Sequence, residues 1–225
     1  MKNTLRVSGL IIILFLTTKG ESEAQAETKN TDLTTGFGFY SSLLWRGSAY
    51  GIGPHFQPEL EFTAGGLALG LWGSVDFNGY SEVDPSISYS FPFGLSVGLT
   101  DFYYPGLKFF NTSRADGSHA FEINCNYTTG RIGLSANCVL NEAGGAGSAG
   151  GDLYFQIAYE FQRFNLFAGA GNGWLTTDGN FNLCNLGLGT EEEIEVTDKF
   201  AFQLNGQVVF NPDSENLYFT VGISF

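Results

Sequence analysis

The 225 residues carry 10 Lys and Arg against 23 Asp and Glu, a net charge of −13, with 31 glycines, 22 phenylalanines and 6 prolines. That acidity excludes nucleic acid as a partner, because gripping a phosphate backbone needs clustered Lys and Arg. Abundant glycine and aromatic residues suit strands and tight turns, and no apolar run approaches the about 20 residues of a membrane helix.

The chain opens with an export signal. Lys2 and Arg6 precede an unbroken apolar run from Leu10 to Leu16, and Ala24-Gln25-Ala26 supplies the small-x-small pattern of a cleavage site. The expected organisation is a signal peptide over 1–26 and a single domain over 27–225. Residues 1–26 hold three basic and two acidic side chains, so the mature chain is one unit more acidic than the whole.

From about Thr35 onward apolar and polar residues alternate. Leu67, Leu69, Leu71, Gly73, Val75 and Phe77 fall on one face, and Ala68, Gly70, Trp72, Ser74 and Asp76 on the other. A period of two means extended strands with one apolar and one wet face. Strands are expected near 34–45, 55–64, 67–77, 81–91, 95–104, 119–128, 131–140, 152–161, 164–174, 181–190, 199–210 and 216–225. Short turns (64–66, 92–94, 128–130, 162–163) alternate with long links (45–54, 105–118, 141–151, around 176–180). Two links depart from the alternation: 78–80 is short where a long one is due, and 190–198 is long where a short one is due. Phase breaks at Asp101-Phe102 and Asn185-Leu186 mark candidate bulges. The fold class expected is all-β, a transmembrane antiparallel up-and-down β-barrel of about 12 strands with both termini in the periplasm.

Aromatic residues fall at strand ends, with Trp45, Tyr103, Tyr104 and Trp174 assigned to an outer girdle and Phe91, Phe93, Phe161, Phe164 and Phe225 to a periplasmic one. The last strand alternates Leu217, Phe219, Val221, Ile223 and Phe225 with polar or small residues. A terminal strand closing on phenylalanine is what the outer-membrane insertion machinery recognises. Cys125, Cys138 and Cys184 are expected as free thiols on the lipid face. With Cys125 opposite Leu134, Cys138 lies roughly 13 Å away, too far for a disulfide. No CxxC or His-paired spacing marks a metal site, and nothing calls for a cofactor.

Trp45-Arg46-Gly47, Leu71-Trp72-Gly73-Ser74, Glu82-Val83-Asp84 and Asp101-Phe102-Tyr103-Tyr104-Pro105 together resemble the TorF-type porin family of Gram-negative outer-membrane barrels. The likeness spans most of the mature chain, with its clear motifs confined to 45–105. It implies a small outer-membrane barrel with channel activity and no defined substrate.

If apolar residues face lipid, the alternate positions line the lumen. Glu59, Asp76, Glu82, Asp84, Asp101, Glu122 and Asp152 then gather in its outer half, where low-dielectric walls concentrate cations. Arg46 is the one basic residue near them. It either pairs with Glu82 or Asp84 to set a constriction, or neutralises carboxylates packed inside a small barrel. The function expected is a narrow, passive, cation-preferring channel for ions or small cationic or neutral solutes, in contact with outer-membrane lipid. The competing classes are a structural barrel without transport and an outer-membrane lipid hydrolase. A hydrolase needs a serine activated by a histidine, and only His55 and His119, with Ser48 and Ser118 nearby, offer that pair.

Overall fold

The computed structural model describes residues 31–225, so the export signal lies outside the described residues. Fourteen strands follow one another: β1 (Thr31–Tyr40), β2 (Leu43–Trp45), β3 (Ser48–Tyr50), β4 (His55–Ala64), β5 (Leu67–Asp76), β6 (Ser81–Ser90), β7 (Leu95–Tyr103), β8 (His119–Thr129), β9 (Ile132–Val139), β10 (Leu153–Glu160), β11 (Asn165–Gly171), β12 (Asn182–Thr197), β13 (Phe200–Asn211) and β14 (Asn216–Ser224). Twelve of them close an antiparallel barrel, β4 pairing with β1 and β1 with β14; β2 and β3 pair only with each other.

The apolar faces turn outward. Leu69, Leu71 and Val75 of β5 are exposed on the outside, while Trp72 and Ser74 between them are buried within. This inverts a soluble protein's arrangement and follows directly from the alternation. Closure removes the edge that so apolar a terminal strand as β14 would otherwise present.

Short turns collect at one end of the barrel and long links at the other. The two exceptions resolve differently. The link at 77–80 is short because Asp76 caps it, accepting the backbone N–H groups of Asn78 and Tyr80 at 2.8 Å each. The expected long link at 190–198 is strand instead: β12 and β13 stay paired down to Thr197↔Phe200. This hairpin reaches past its neighbours, whose last pairs are Asn165↔Gly189 and Gln203↔Ser224. Its acidic run reads as loop, but Ile194 opposite Phe202 supplies the apolar cross-strand pair that keeps it extended. The β1–β14 seam is the shortest in the barrel, with three register pairs.

Strand one ends at Tyr40, not Trp45, because the chain turns into the barrel there. No bulge interrupts β7 at Asp101-Phe102, whose pairing to β8 runs without a shift; the alternation breaks in chemistry only. Near Asn185 a bulge does occur: Gly169 pairs with Asn185 and Ala170 with Leu183, leaving Cys184 unpaired. The bulge turns Cys184 inward, where it is fully buried, so it is not a lipid-face thiol. Cys125 is opposite Ala136 rather than Leu134 because the turn after β8 is one of two residues, Thr129 pairing with Ile132. All three thiols are free.

Candidate functional site

The long link after β1 does not stand outside the barrel. It folds into the lumen as the β2–β3 hairpin, whose turn is Arg46-Gly47. Both residues have positive φ (47° and 90°), the geometry of a two-residue hairpin turn whose twist matches its strands. Leu43, Leu44 and Arg46 are buried, and Trp45 packs edge-on against Phe102 and Trp174 at 5.5 and 5.9 Å between ring centroids. Trp45 and Trp174, expected in an outer girdle, therefore form part of an apolar plug inside the loop end. Phe102, Ala120, Val139, Tyr154 and Leu175 complete its packing.

Arg46 crosses the lumen to β8. Its Nη1 and Nη2 donate to Glu122 Oε2 and Oε1 at 2.5 and 2.7 Å, with side-chain exposures of 3% and 1%. The partner is Glu122, not Glu82 or Asp84, because the hairpin tip projects toward β8 and β12 rather than back to β6. The guanidinium also lies 4.4 Å from the Trp45 ring centroid and 4.6 Å from that of Tyr154. A planar, delocalised cation suits this place between two aromatic faces and one carboxylate. The hairpin is held at two further points, its tip and its base. Asn211 Nδ2 donates to Gly47 O at 3.0 Å, and Thr220 Oγ1 donates to Ser42 O at 3.0 Å.

The other expected lumen residues divide into four groups. Glu82, Asp84, Glu122 and Asp152 are buried and point inward. Asp76 sits at the loop end and binds backbone, taking the N–H of Ile52 at 2.8 Å as well. Glu59 lies midway along β4, opposite Gly36 and Trp72. Asp101 faces outward. Its Oδ2 is 2.7 Å from His119 Nδ1, and the imidazole stacks between Tyr103 and Phe121. A carboxylate on the apolar face is tolerated there because the imidazole and the surrounding rings cover it. The pairing joins residues 18 apart and has no local sequence signal.

Beyond the hairpin, toward the short turns, the inner wall carries a series of acids. Glu61, Glu160, Glu191 and Glu193 point inward, and the last two are exposed. No basic side chain among the described residues faces them from the strands: Lys108 and Arg114 lie in the 104–118 loop, and Arg131, Arg163 and Lys199 in short turns. Among the loops, the Asn180 side chain donates to Asp178 at 2.8 Å and holds that carboxyl below the usual range.

The histidines do not form a nucleophile pair with the serines beside them in sequence. His55 is fully buried with its Nδ1 2.9 Å from Ser74 Oγ. His119 engages Asp101 and the carbonyl of Phe109 through its two nitrogens, and Ser118 Oγ donates to Lys108 O at 2.8 Å.

No family model matches the chain, and no curated protein matches it. Among solved structures it is similar to mutants of the Rh. blastica porin. A triple mutant aligns at 13% identity over 76% of this chain and 55% of that one, with a TM-score of 0.40, so this chain spans about half its length. A quintuple mutant aligns at 12% identity over 87% of this chain and 99% of that one, with a TM-score of 0.42. Likeness at this level transfers no activity, and the closed barrel rests on the chain's own strand pairing.

Proposed function

We propose that the chain is an outer-membrane barrel of the porin type, a narrow passive channel that prefers cations and is restricted at its loop end by the β2–β3 hairpin. The outward apolar face fits lipid, the short turns then face the periplasm, and the alternating β14 fits the insertion machinery. The observation that carries the reading is the imbalance of charge along the inner wall. Arg46 is neutralised by Glu122, whereas Glu59, Glu61, Glu160 and Glu191 below it face no basic strand residue. Carboxylates in a low-dielectric tube concentrate cations and repel anions.

The test is single-channel recording of the refolded barrel in a planar bilayer under a salt gradient. The reversal potential is expected to have the sign of cation flow and to shrink as salt rises, since screening shortens to about 3 Å at 1 M. The double variant Glu61→Gln/Glu191→Gln is expected to lose most of the selectivity while keeping most of the conductance. Anion selectivity would overturn the reading. A folded but silent barrel would favour the non-transporting alternative, which the packing of Trp45, Phe102 and Trp174 across the loop end also supports.

A further inference from the structure

The barrel closes at the β1–β14 seam, but the seam gives out toward the loop end. β1 follows β14 only as far as Tyr40↔Gly222. Ser41 adds a last pair of bonds: its N–H donates to Val221 O at 2.8 Å, and its Oγ accepts the Val221 N–H at 3.1 Å. The chain then enters the lumen as the β2–β3 hairpin and returns through Pro54 to begin β4. Among the described residues nothing takes the place of β1 beside the upper part of β14. Leu217 and Phe219 register the loss of a neighbour. They are 71% and 64% exposed, against 43% for Leu69 and Leu71, which have a strand on either side.

Two features mark this gap as a site. The first is room. At its base a groove of about 340 Å³ opens onto the outer face, lined by Phe39, Leu204, Val221 and Ile223, with Ser41 and Pro54 toward the loop end. That volume suits a small ligand, and the lining continues the apolar surface around it. The second is a row of unspent backbone groups. Successive residues of a strand present their N–H and C=O to opposite sides. Val221 faces β1, so Phe219 and Leu217 above it face the gap, while β13 pairs with β14 from the other side. Backbone groups unpaired at the border of lipid are costly. The groove therefore suits an alkyl chain, and the strand edge above it a head that both donates and accepts. A negative head has no counter-charge there. Glu215 ends the turn into β14, and Arg46, the one basic side chain between β1 and β4, is spent on Glu122.

We propose that the groove and the β14 edge above it bind a single-chain amphiphile with an uncharged, hydroxyl-bearing head, of the monoacylglycerol kind. Its tail lies against Phe39, Leu204 and Ile223, and its head meets the backbone of Phe219 and Leu217 at the loop end. The assignment rests on the lipid-facing half of the reading above and not on conduction.

The test is photolabelling of the barrel in phosphatidylcholine vesicles with a monoacylglycerol carrying a diazirine in its chain, mapped by mass spectrometry. The methyl ester of the same chain, which accepts but cannot donate, is the comparison. Labelling is expected to saturate and to concentrate on Phe39, Leu204, Val221 and Ile223 over Leu69 and Leu71 of β5. The methyl ester should need a severalfold higher concentration. Val221→Phe, which fills the groove, should reduce labelling there at least about tenfold. Phe219→Pro removes an N–H that faces the gap and no ladder bond, and should weaken the monoacylglycerol alone, severalfold. Both variants should keep the heat-dependent gel mobility of a closed barrel. Labelling spread evenly around the outer face, equal potency of the two probes, or unchanged labelling of Val221→Phe would each overturn the assignment. So would an unlabelled groove in a barrel that sediments as a dimer, which would give this face to a second copy. A barrel that never enters vesicles would overturn the membrane reading and the groove with it; one that enters and labels evenly would overturn the groove alone.

Discussion

Arg46→Ala is expected to destabilise the barrel by about 3–5 kcal/mol and, in the bilayer, to raise its conductance. The magnitude follows from what the substitution leaves behind. Glu122 is 1% exposed and would retain a single side-chain donor, the Asn124 amide at 2.6 Å. A buried carboxylate stripped of its cation costs more than the pair contributed, so most of the loss belongs to the orphaned acid. Losing the guanidinium from between Trp45 and Tyr154 adds roughly 0.5–2 kcal/mol. The double variant Arg46→Leu/Glu122→Leu removes both charges and should recover most of the stability. Urea unfolding in detergent, followed by tryptophan fluorescence, measures both. If the double variant is as unstable as the single one, the pair is not what holds the hairpin.

Conductance separates that latch from mere packing. Arg46 carries the hairpin's ion pair to β8, so removing it frees the tip from that bond while those from Asn211 and Thr220 remain. Partial release should appear as flicker between the parental conductance and a larger one. The leucine pair, stable yet unlatched by charge, should flicker too. A double variant with parental stability and parental, steady conductance would show that apolar contact alone seats the hairpin.

How much of this was legible in the sequence depends on how local each feature is. Alternation is local, so the strands and their inward and outward faces follow from residues such as Leu69, Leu71 and Trp72 alone. The hairpin was hidden by the same regularity. Leu43 to Trp45 continues the rhythm of β1, and a turn at Arg46-Gly47 has the same composition whether it stands in water or in a lumen. Nothing within ten residues tells inside from outside; that depends on Glu122, Phe102 and Cys184, which lie far along the chain. Asp101 fails for a related reason. Its acidity assigns it to the wet face, whereas strand parity puts it outside, and His119 supplies the compensation. The acidic run at 191–195 misleads because polarity alone does not separate loop from strand: Glu191 and Glu193 face the lumen, and the hairpin end beyond them is polar and still paired.

Gly47→Ala is expected to unseat the hairpin with little change to the barrel, and it is the sharper of the two perturbations because it alters no charge. The ideal Cβ at residue 47 would lie 1.8 Å from the carbonyl oxygen of Cys184, a backbone atom of β12. A barrel strand cannot retreat by the distance required, and a φ of 90° adds strain for any side chain. The tip must therefore lift, which breaks the Asn211 bond to Gly47 O and draws Arg46 away from Glu122. Gly130→Ala is the control, since it also has positive φ but meets nothing within 4 Å, leaving only the backbone strain of about 1 kcal/mol. In a background lacking Cys125 and Cys138, the buried Cys184 thiol reports on the tip that covers it. It should resist a water-soluble maleimide in the parent and in Gly130→Ala, and react in Gly47→Ala alongside a severalfold rise in conductance. Parental conductance and a protected Cys184 in Gly47→Ala would remove the hairpin as the stop in this lumen.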